Sequence, residues 1–230
     1  MVHATWSDAM PSQMHNDPFL EGICKSLISV HGAHTLLLYG SHADGSAGAD
    51  SDYDIAAFGS VTTVLRDARE INGIFLDIFV YPEAVLLTPT KEYLRLRGSK
   101  ILIQRGNEAE DFLNVLEQIF GRGPTPLAVD EIAARKVWVR KMLARIERGD
   151  VEGNYRRIGL LAALLEDYFH YRARWYLGPK KSLQWLKEFD PVTHHAFALA
   201  LEPGANREVI HQLAKHVVSL TSDSSGNDER

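Results

Sequence analysis

The sequence predicts an α/β (α+β) domain with a mixed sheet, followed by an all-helical domain. Three observations carry that prediction. Short apolar runs such as "HTLLLYG", "IFLDIFV" and "SKILIQRG" fall within the first 106 residues and fit buried strands. Beyond about residue 129 no strand pattern occurs, and apolar residues recur at helical spacing instead. Between the two regions, "GRGPTPLAVD" carries two glycines and two prolines in ten residues, the composition of a break between domains.

Taken in order, residues 1–16 are polar and irregular and read as an N-terminal arm. Asp17-Pro18 starts a helix, with proline at the first helical position, where its missing N–H costs nothing. Phe19, Ile23, Leu27 and Val30 then recur at helical spacing to about His31. "HTLLLYG" is the first strand, and "SDYDIAAFG" a second with β-branched and aromatic content. Asn72-Gly73 separates strand-like runs at about 62–71 and 74–81; both residues tolerate positive φ, so a hairpin with a type I′ turn is expected. "TPTKEYLRLRG" reads as a short helix, "SKILIQRG" as a last strand, and 107–120 as a helix. The first domain is thus 17–120 and the linker 121–128. Helices are expected at 129–149, 153–177, 180–189 and 205–220, with Pro191 and Pro203 as punctuation and a disordered tail over 221–230.

Composition narrows the function classes. A net charge of −5 provides no global basic field, which argues against duplex nucleic acid as the main partner. Cys24 is the only cysteine, so an intrachain disulfide and a thiolate metal cluster are both excluded. The N-terminal stretch lacks the charged start and apolar centre of a signal peptide, and no apolar run approaches the ~20 residues of a membrane span. A soluble, cytoplasmic protein with no membrane partner is expected.

The chemistry gathers in "YGSHADGSAGADSDYD" and "FLDIFV". Asp52 and Asp54 are two apart on an expected strand, so their side chains leave one face. Asp77 lies mid-strand, where a charge is costly unless it is paired or bound to a cation. Carboxylates on one face of neighbouring strands make a hard oxygen site suited to Mg²⁺, and two ions ~3.5–4 Å apart can clamp a phosphoryl displacement. Gly40 lets backbone approach a phosphate closely, and the Ser41 hydroxyl can donate to it. Each feature alone is common for structural reasons; their order along the chain is the signal.

That order resembles the signature of the DNA polymerase beta-like nucleotidyltransferase superfamily: strand, Gly-Ser, spacer, Asp-x-Asp, then a third acidic strand. The resemblance covers about residues 34–105. It is strongest to the bacterial minimal and antibiotic-modifying nucleotidyltransferases, such as aminoglycoside adenylyltransferases, which are similar in carrying a C-terminal helical domain. It implies that Asp52, Asp54 and Asp77 are catalytic and bind two Mg²⁺, with Asp77 as ligand or general base. It implies further that Gly40, Ser41 and Ser51 face the nucleotide. Many minimal members carry an arginine just after the Gly-Ser corner, whereas this loop reads "HADG" with Asp44. An Asp-Gly there resembles the streptomycin-spectinomycin adenylyltransferases and favours a stand-alone modifier. The loop holds no lysine or arginine, so positive charge for a triphosphate must come from elsewhere.

The helical half offers Lys180 and Lys181, immediately inside a helix that starts at Pro179. Cations in a first turn oppose the macrodipole by up to ~1 kcal/mol each, which makes sense where the helix start faces an anion. Residues 130–190 hold 13 Lys/Arg against 9 Asp/Glu, an excess of cations within an acidic chain that agrees with such a surface. Leu161, Leu164, Leu165 and Tyr168 form a core stripe, and Glu166 and His170 an i,i+4 pair. The expectation is an enzyme transferring a nucleoside monophosphate, AMP from ATP or its equivalent from another NTP, to a hydroxyl of a small aminoglycoside-like acceptor. Rival readings are adenylylation of protein hydroxyls, as in antitoxins of the minimal type, and a non-catalytic nucleotide-binding module. The helical part lacks the Arg-x(4–6)-His motif of the ribonuclease toxins that partner such antitoxins. A homodimer is a further expectation of the resemblance.

Overall fold

Asp17 caps the first helix, its carboxylate accepting a hydrogen bond from the Leu20 N–H at 3.0 Å, with Pro18 at the first helical position. Helix α1 (Pro18–His31) buries Leu20, Ile23, Cys24 and Leu27, while Val30 faces solvent. The computed structural model describes residues 17–219; the readings of 1–16 as an arm and 221–230 as a disordered tail lie outside the described residues. The chain divides into two compact units, Met1–Arg122 and Gly123–Arg230.

The first unit is built on strands β1 (Thr35–Tyr39), β2 (Tyr53–Gly59), β3 (Leu65–Ile71), β4 (Ile74–Pro82) and β5 (Lys100–Ile103). Their order across the sheet is β3-β4-β2-β1-β5. β2 and β4 run parallel and every other pair antiparallel, so the sheet is mixed. Asn72 and Gly73 join β3 to β4 with φ of 54° and 82°, the two positive values a type I′ turn requires. Strand β3 starts at Leu65 rather than near 62, because residues 60–64 form a bend after β2.

Alternation sorts the strands onto two faces. Leu36, Leu38, Ile55, Ala57, Ile78 and Val80 pack with α1 on one side. Leu37, Tyr39, Ala56, Phe58 and Tyr81 pack on the other with α4 (Glu108–Arg122) and the 3₁₀ helix Lys91–Leu96. Phe58 and Phe112 meet edge-on there, both fully buried, each worth about 1.5–3 kcal/mol of apolar burial. Two one-turn helices, α2 (Ser41–Asp44) and α3 (Ala84–Leu87), complete this unit.

The second unit is all helical among the described residues: α5 (Val129–Ile146), α6 (Val151–His170), α7 (Pro179–Phe189), α8 (Pro191–Leu201) and α9 (Arg207–Ser219). Leu161, Leu164, Leu165 and Tyr168 of α6 sit at its centre with Met142, Leu186, Phe197 and Ile210. Two expectations are corrected. Helix α6 ends at His170, not 177: Ala173 turns left-handed at φ 47°, and Arg174 N–H folds back to the Phe169 carbonyl at 2.9 Å. Trp175 and Tyr176 therefore lie off the helix, and Gly178 is the N-cap of α7. Pro191 does not merely interrupt helices but opens α8, with Asp190 accepting from the Thr193 N–H at 3.0 Å. No helix among the described residues is long and apolar enough to cross a membrane.

Candidate active site

Four residues form one row across the sheet: Ala68 opposite Asp77, Asp77 in parallel register with Asp54, and Asp54 opposite Tyr39. Alternation places Asp54 and Asp77 on the face that carries Phe58, Phe79 and Tyr81, at the end of the sheet where β1 gives way to Gly40. Asp52 immediately precedes β2 rather than lying on it, yet its charge is felt at Asp54. Asp54 is pushed up from 3.8 to about 6, first by burial, then by the negative charges of Asp52 and Asp77, against the opposing pull of Arg95 and His42.

Gly40 is required by that carboxylate. A Cβ built on Gly40 would lie 2.0 Å from Asp54 Oδ2, and its φ of +69° is one that side chains rarely adopt. The Gly-Ser corner and the Asp-x-Asp segment are thus pressed together, with backbone against carboxylate. Ser41 opens α2 and is buried. Ser51 closes the intervening loop, accepting from the Gly48 N–H at 2.9 Å through Oγ and lying 3.3 Å from His42 Nε2 through its carbonyl. His42 stacks on Tyr53 with centroids 3.9 Å apart, and the Tyr53 hydroxyl donates to Asp17 at 2.7 Å, tying the loop to the start of α1. Asp44 accepts from the Ser46 N–H at 2.9 Å, so it shapes the loop where the minimal pattern has an arginine.

Three cations that sequence reasoning passed over stand in this unit. Arg66 of β3 donates to both oxygens of Asp77, Nε to Oδ1 at 2.8 Å and a terminal nitrogen to Oδ2 at 3.1 Å. The mid-strand charge that looked costly is therefore paired, and Asp77 is 22% exposed rather than deeply buried. Arg95 lies over the Phe79 ring at 4.1 Å and donates to the Tyr81 hydroxyl, so its guanidinium is held by aromatic rings within electrostatic range of Asp54. Lys100 donates to the His42 carbonyl at 3.3 Å. The same aromatic cluster and the carboxylates hold the Tyr39 hydroxyl well above the usual tyrosine range, burial being the main cause.

Lys180 and Lys181 belong to the second unit, exposed in the first turn of α7, whose N-cap Gly178 offers no side-chain cap. The cluster of the first unit is made without them. Glu166 and His170 stand 3.7 Å apart as an i,i+4 pair. His170 Nδ1 also lies 3.4 Å from Arg135, which is paired with the buried Asp167. Burial raises the Asp167 carboxyl above its ordinary range, and Arg135 opposes that rise.

The donor set fits a divalent cation in part. Asp52 and Asp54 are hard oxygen donors, and the Asp54 carboxyl is raised first by burial and then by its acidic neighbours. Among the described residues, however, no three His, Cys, Asp or Glu side chains already form a group that could hold an ion. Asp77 has both oxygens engaged by Arg66.

The fold is an α+β unit with a mixed sheet followed by an all-helical unit. Neither a protein-family profile nor a curated protein matches the chain. Among solved structures it is similar to a nucleotidyltransferase-like protein from Exiguobacterium sibiricum 255-15, at 11% identity and a TM-score of 0.41, over 89% of this chain and 75% of that one.

Proposed function

We propose that the chain is a nucleotidyltransferase that moves a nucleoside monophosphate, AMP from ATP in the first instance, onto a hydroxyl of a small aminoglycoside-like acceptor. The observation that carries this reading is the in-register pair Asp54–Asp77, with Asp54 pressed against Gly40 and its carboxyl raised to about 6 by burial and neighbouring charge. Perturbed carboxyls gather at functional sites, and hard oxygen donors on neighbouring strands suit a divalent cation.

In this reading Asp52, Asp54 and Asp77 hold two Mg²⁺, which supply charge neutralisation and alignment for the displacement when bound. Asp77 accepts the proton of the acceptor hydroxyl as that oxygen forms its bond to the α-phosphorus. The bond from the α-phosphorus to the β-phosphate oxygen breaks, and pyrophosphate leaves carrying the electron pair. In this reading Gly40, whose backbone packs against Asp54, faces the nucleotide together with Ser41 and Ser51 of the same loop. Arg95, held on Phe79, supplies the positive charge that the Gly-Ser loop lacks. Catalysis is then mainly positioning and charge neutralisation.

A second reading, a nucleotide-binding module without catalysis, is favoured by one observation: Arg66 occupies both oxygens of Asp77. The test is pyrophosphate release from ATP, GTP, CTP and UTP with Mg²⁺ across aminoglycosides, lincosamides and protein acceptors, with Asp77→Asn beside the wild type. Acceptor-dependent release that Asp77→Asn abolishes without loss of ATP binding supports transfer. ATP binding without release by any acceptor supports the module, and no nucleotide binding overturns both.

A further inference from the structure

The second unit carries an open groove of about 600 Å³ between α5 and α9, which nucleotidyl transfer leaves unused. Lys136, Val139, Arg140 and Leu143 recur at i, i+3, i+4 and i+7, so they share one face of α5. On the other wall α9 presents Ala214, Lys215 and Val218. Val139 and Ala214 are buried, and Leu143 and Val218 partly so, all four belonging to the packed core of the unit or lying against it. The floor is therefore apolar and held in place by the core, and the groove falls in the ~300–1,000 Å³ range of small-molecule pockets.

The rim is cationic. Lys136, Arg140 and Lys215 stand there against one carboxylate, Glu208, in a chain whose net charge is −5. No ion pair or side-chain hydrogen bond engages any of the three among the described residues. Glu208 accepts from the Gln212 amide of its own helix at 3.1 Å, and His211 lies 2.9 Å from Glu147. Glu147 also accepts from Arg207 at 3.4 Å, so the start of α9 lies beside the end of α5 and the two helices run antiparallel. At about 1.5 Å per residue, Arg140 stands roughly 10 Å back along α5 from that tie, and Lys215 roughly 6–12 Å on along α9. The two cations thus come level with each other from opposite walls. A helix dipole favours a cation near its C-terminus, which serves Lys215 at most, since Lys136 and Arg140 stand in the middle of α5.

We propose that this groove binds a small apolar acid, its hydrocarbon or aryl body on the apolar floor and its carboxylate or phosphate ester group between Arg140 and Lys215. Apolar burial supplies the affinity, and charge-assisted hydrogen bonds to two otherwise unpaired cations supply the orientation. The apolar floor runs from Val139 to Leu143 and from Ala214 to Val218, roughly 6 Å along each helix axis. That length suits a short chain or a fused ring pair and falls short of the several turns over which a docked helix places its anchors. The inference stands apart from nucleotidyl transfer.

The test is calorimetry of the full chain with octanoate, octyl phosphate and, as a neutral control, octanol. One molecule of either anion is expected per chain, with octanol about tenfold weaker or more. Arg140→Ala and Lys215→Ala are each expected to weaken both anions about five- to tenfold and to leave octanol unchanged. Lys187→Ala, which removes a charge from the same unit outside the groove, is expected to change none of the three. Arg140 and Lys215 are exposed on their helices, and circular dichroism checks that each variant is folded. Octanol binding as tightly as the anions overturns the proposal, as does anion binding untouched by Arg140→Ala and Lys215→Ala, or no binding of any probe. Binding to phosphatidylglycerol vesicles with no uptake of the free anions assigns the cations to a membrane surface and overturns it equally.

Discussion

Asp54 carries a measurable conflict between folding and charge, and Asp54→Asn removes it. The folded protein raises this carboxyl from 3.8 to about 6, through burial first and the charges of Asp52 and Asp77 second. A group raised on folding contributes stability that is fully present below its unfolded value and lost as pH rises through its folded value. The wild type therefore loses stability between about pH 4 and pH 6 and carries the whole penalty at pH 7.5. At about 1.4 kcal/mol per tenfold change in proton affinity the rise corresponds to on the order of 3 kcal/mol, and screening of a half-buried group reduces it to about 1–2 kcal/mol. Asparagine keeps the shape, carries no charge and can donate to the neighbouring carboxylates. Thermal unfolding followed by circular dichroism from pH 4 to pH 8 should show Asp54→Asn melting higher at pH 7.5, by about 2–4 °C for each kcal/mol in a chain of this size. At pH 4 the two proteins should converge. Added Mg²⁺ should raise the melting temperature of the wild type and leave Asp54→Asn unmoved, because only a ligand that binds the folded state stabilises it. Equal melting at pH 7.5, or an advantage that persists undiminished at pH 4, would refute the electrostatic reasoning.

Two further substitutions probe the units separately. Gly40→Ala drives a methyl group to within 2.0 Å of Asp54 Oδ2 at a φ of +69° and should cost about 2 kcal/mol or more, with nucleotide affinity falling alongside, as calorimetry and urea unfolding will measure. In the helical unit, Arg135→Ala leaves the 4%-exposed Asp167 without its counter-ion and should destabilise by about 3 kcal/mol near neutral pH, whereas Arg135→Met with Asp167→Leu should recover most of that loss.

How far the sequence disclosed this molecule depends on whether a signal is local. Asp17-Pro18 announces α1 because its capping carboxylate and fixed proline φ act within four residues. Asp190-Pro191 uses the same device to open α8, but it follows α7 with no loop between, so the proline read as a stop. The end of α6 had no glycine to mark it: Ala173 takes the left-handed conformation, and the aromatic residues after His170 continue the helical spacing while the chain has already turned. The three carboxylates and the Gly-Ser corner were legible as a pattern. What the pattern could not show is that a Cβ at position 40 would collide with Asp54, a contact made by strand pairing between distant segments. Arg66 was within reach of inference. A two-residue turn at Asn72-Gly73 fixes the hairpin register, and counting back from it sets Arg66 diagonal to Asp77. Arg95 had no such signal, since its place over Phe79 depends on how the 3₁₀ helix packs on the sheet.

The charges of the first unit now make physical sense as a set. Asp54 and Asp77 stand at one end of the sheet face with Asp52 just before β2, and two guanidiniums share a single aromatic ring beside them. Arg66 is committed to Asp77 through two hydrogen bonds, and Arg95 to the Tyr81 hydroxyl and the rings, so neither makes a direct ion pair with Asp54. Arg95 and His42 lower the Asp54 carboxyl, yet it still settles at about 6, which shows that they offset burial and its two acidic neighbours only in part. The Asp54 carboxyl is thus only partly compensated, and it packs against the backbone of Gly40. A structural sheet face would spread these charges apart or pair each of them. Negative charge gathered where Asp54 packs against the Gly40 backbone is the feature on which the proposed cation-dependent transfer rests.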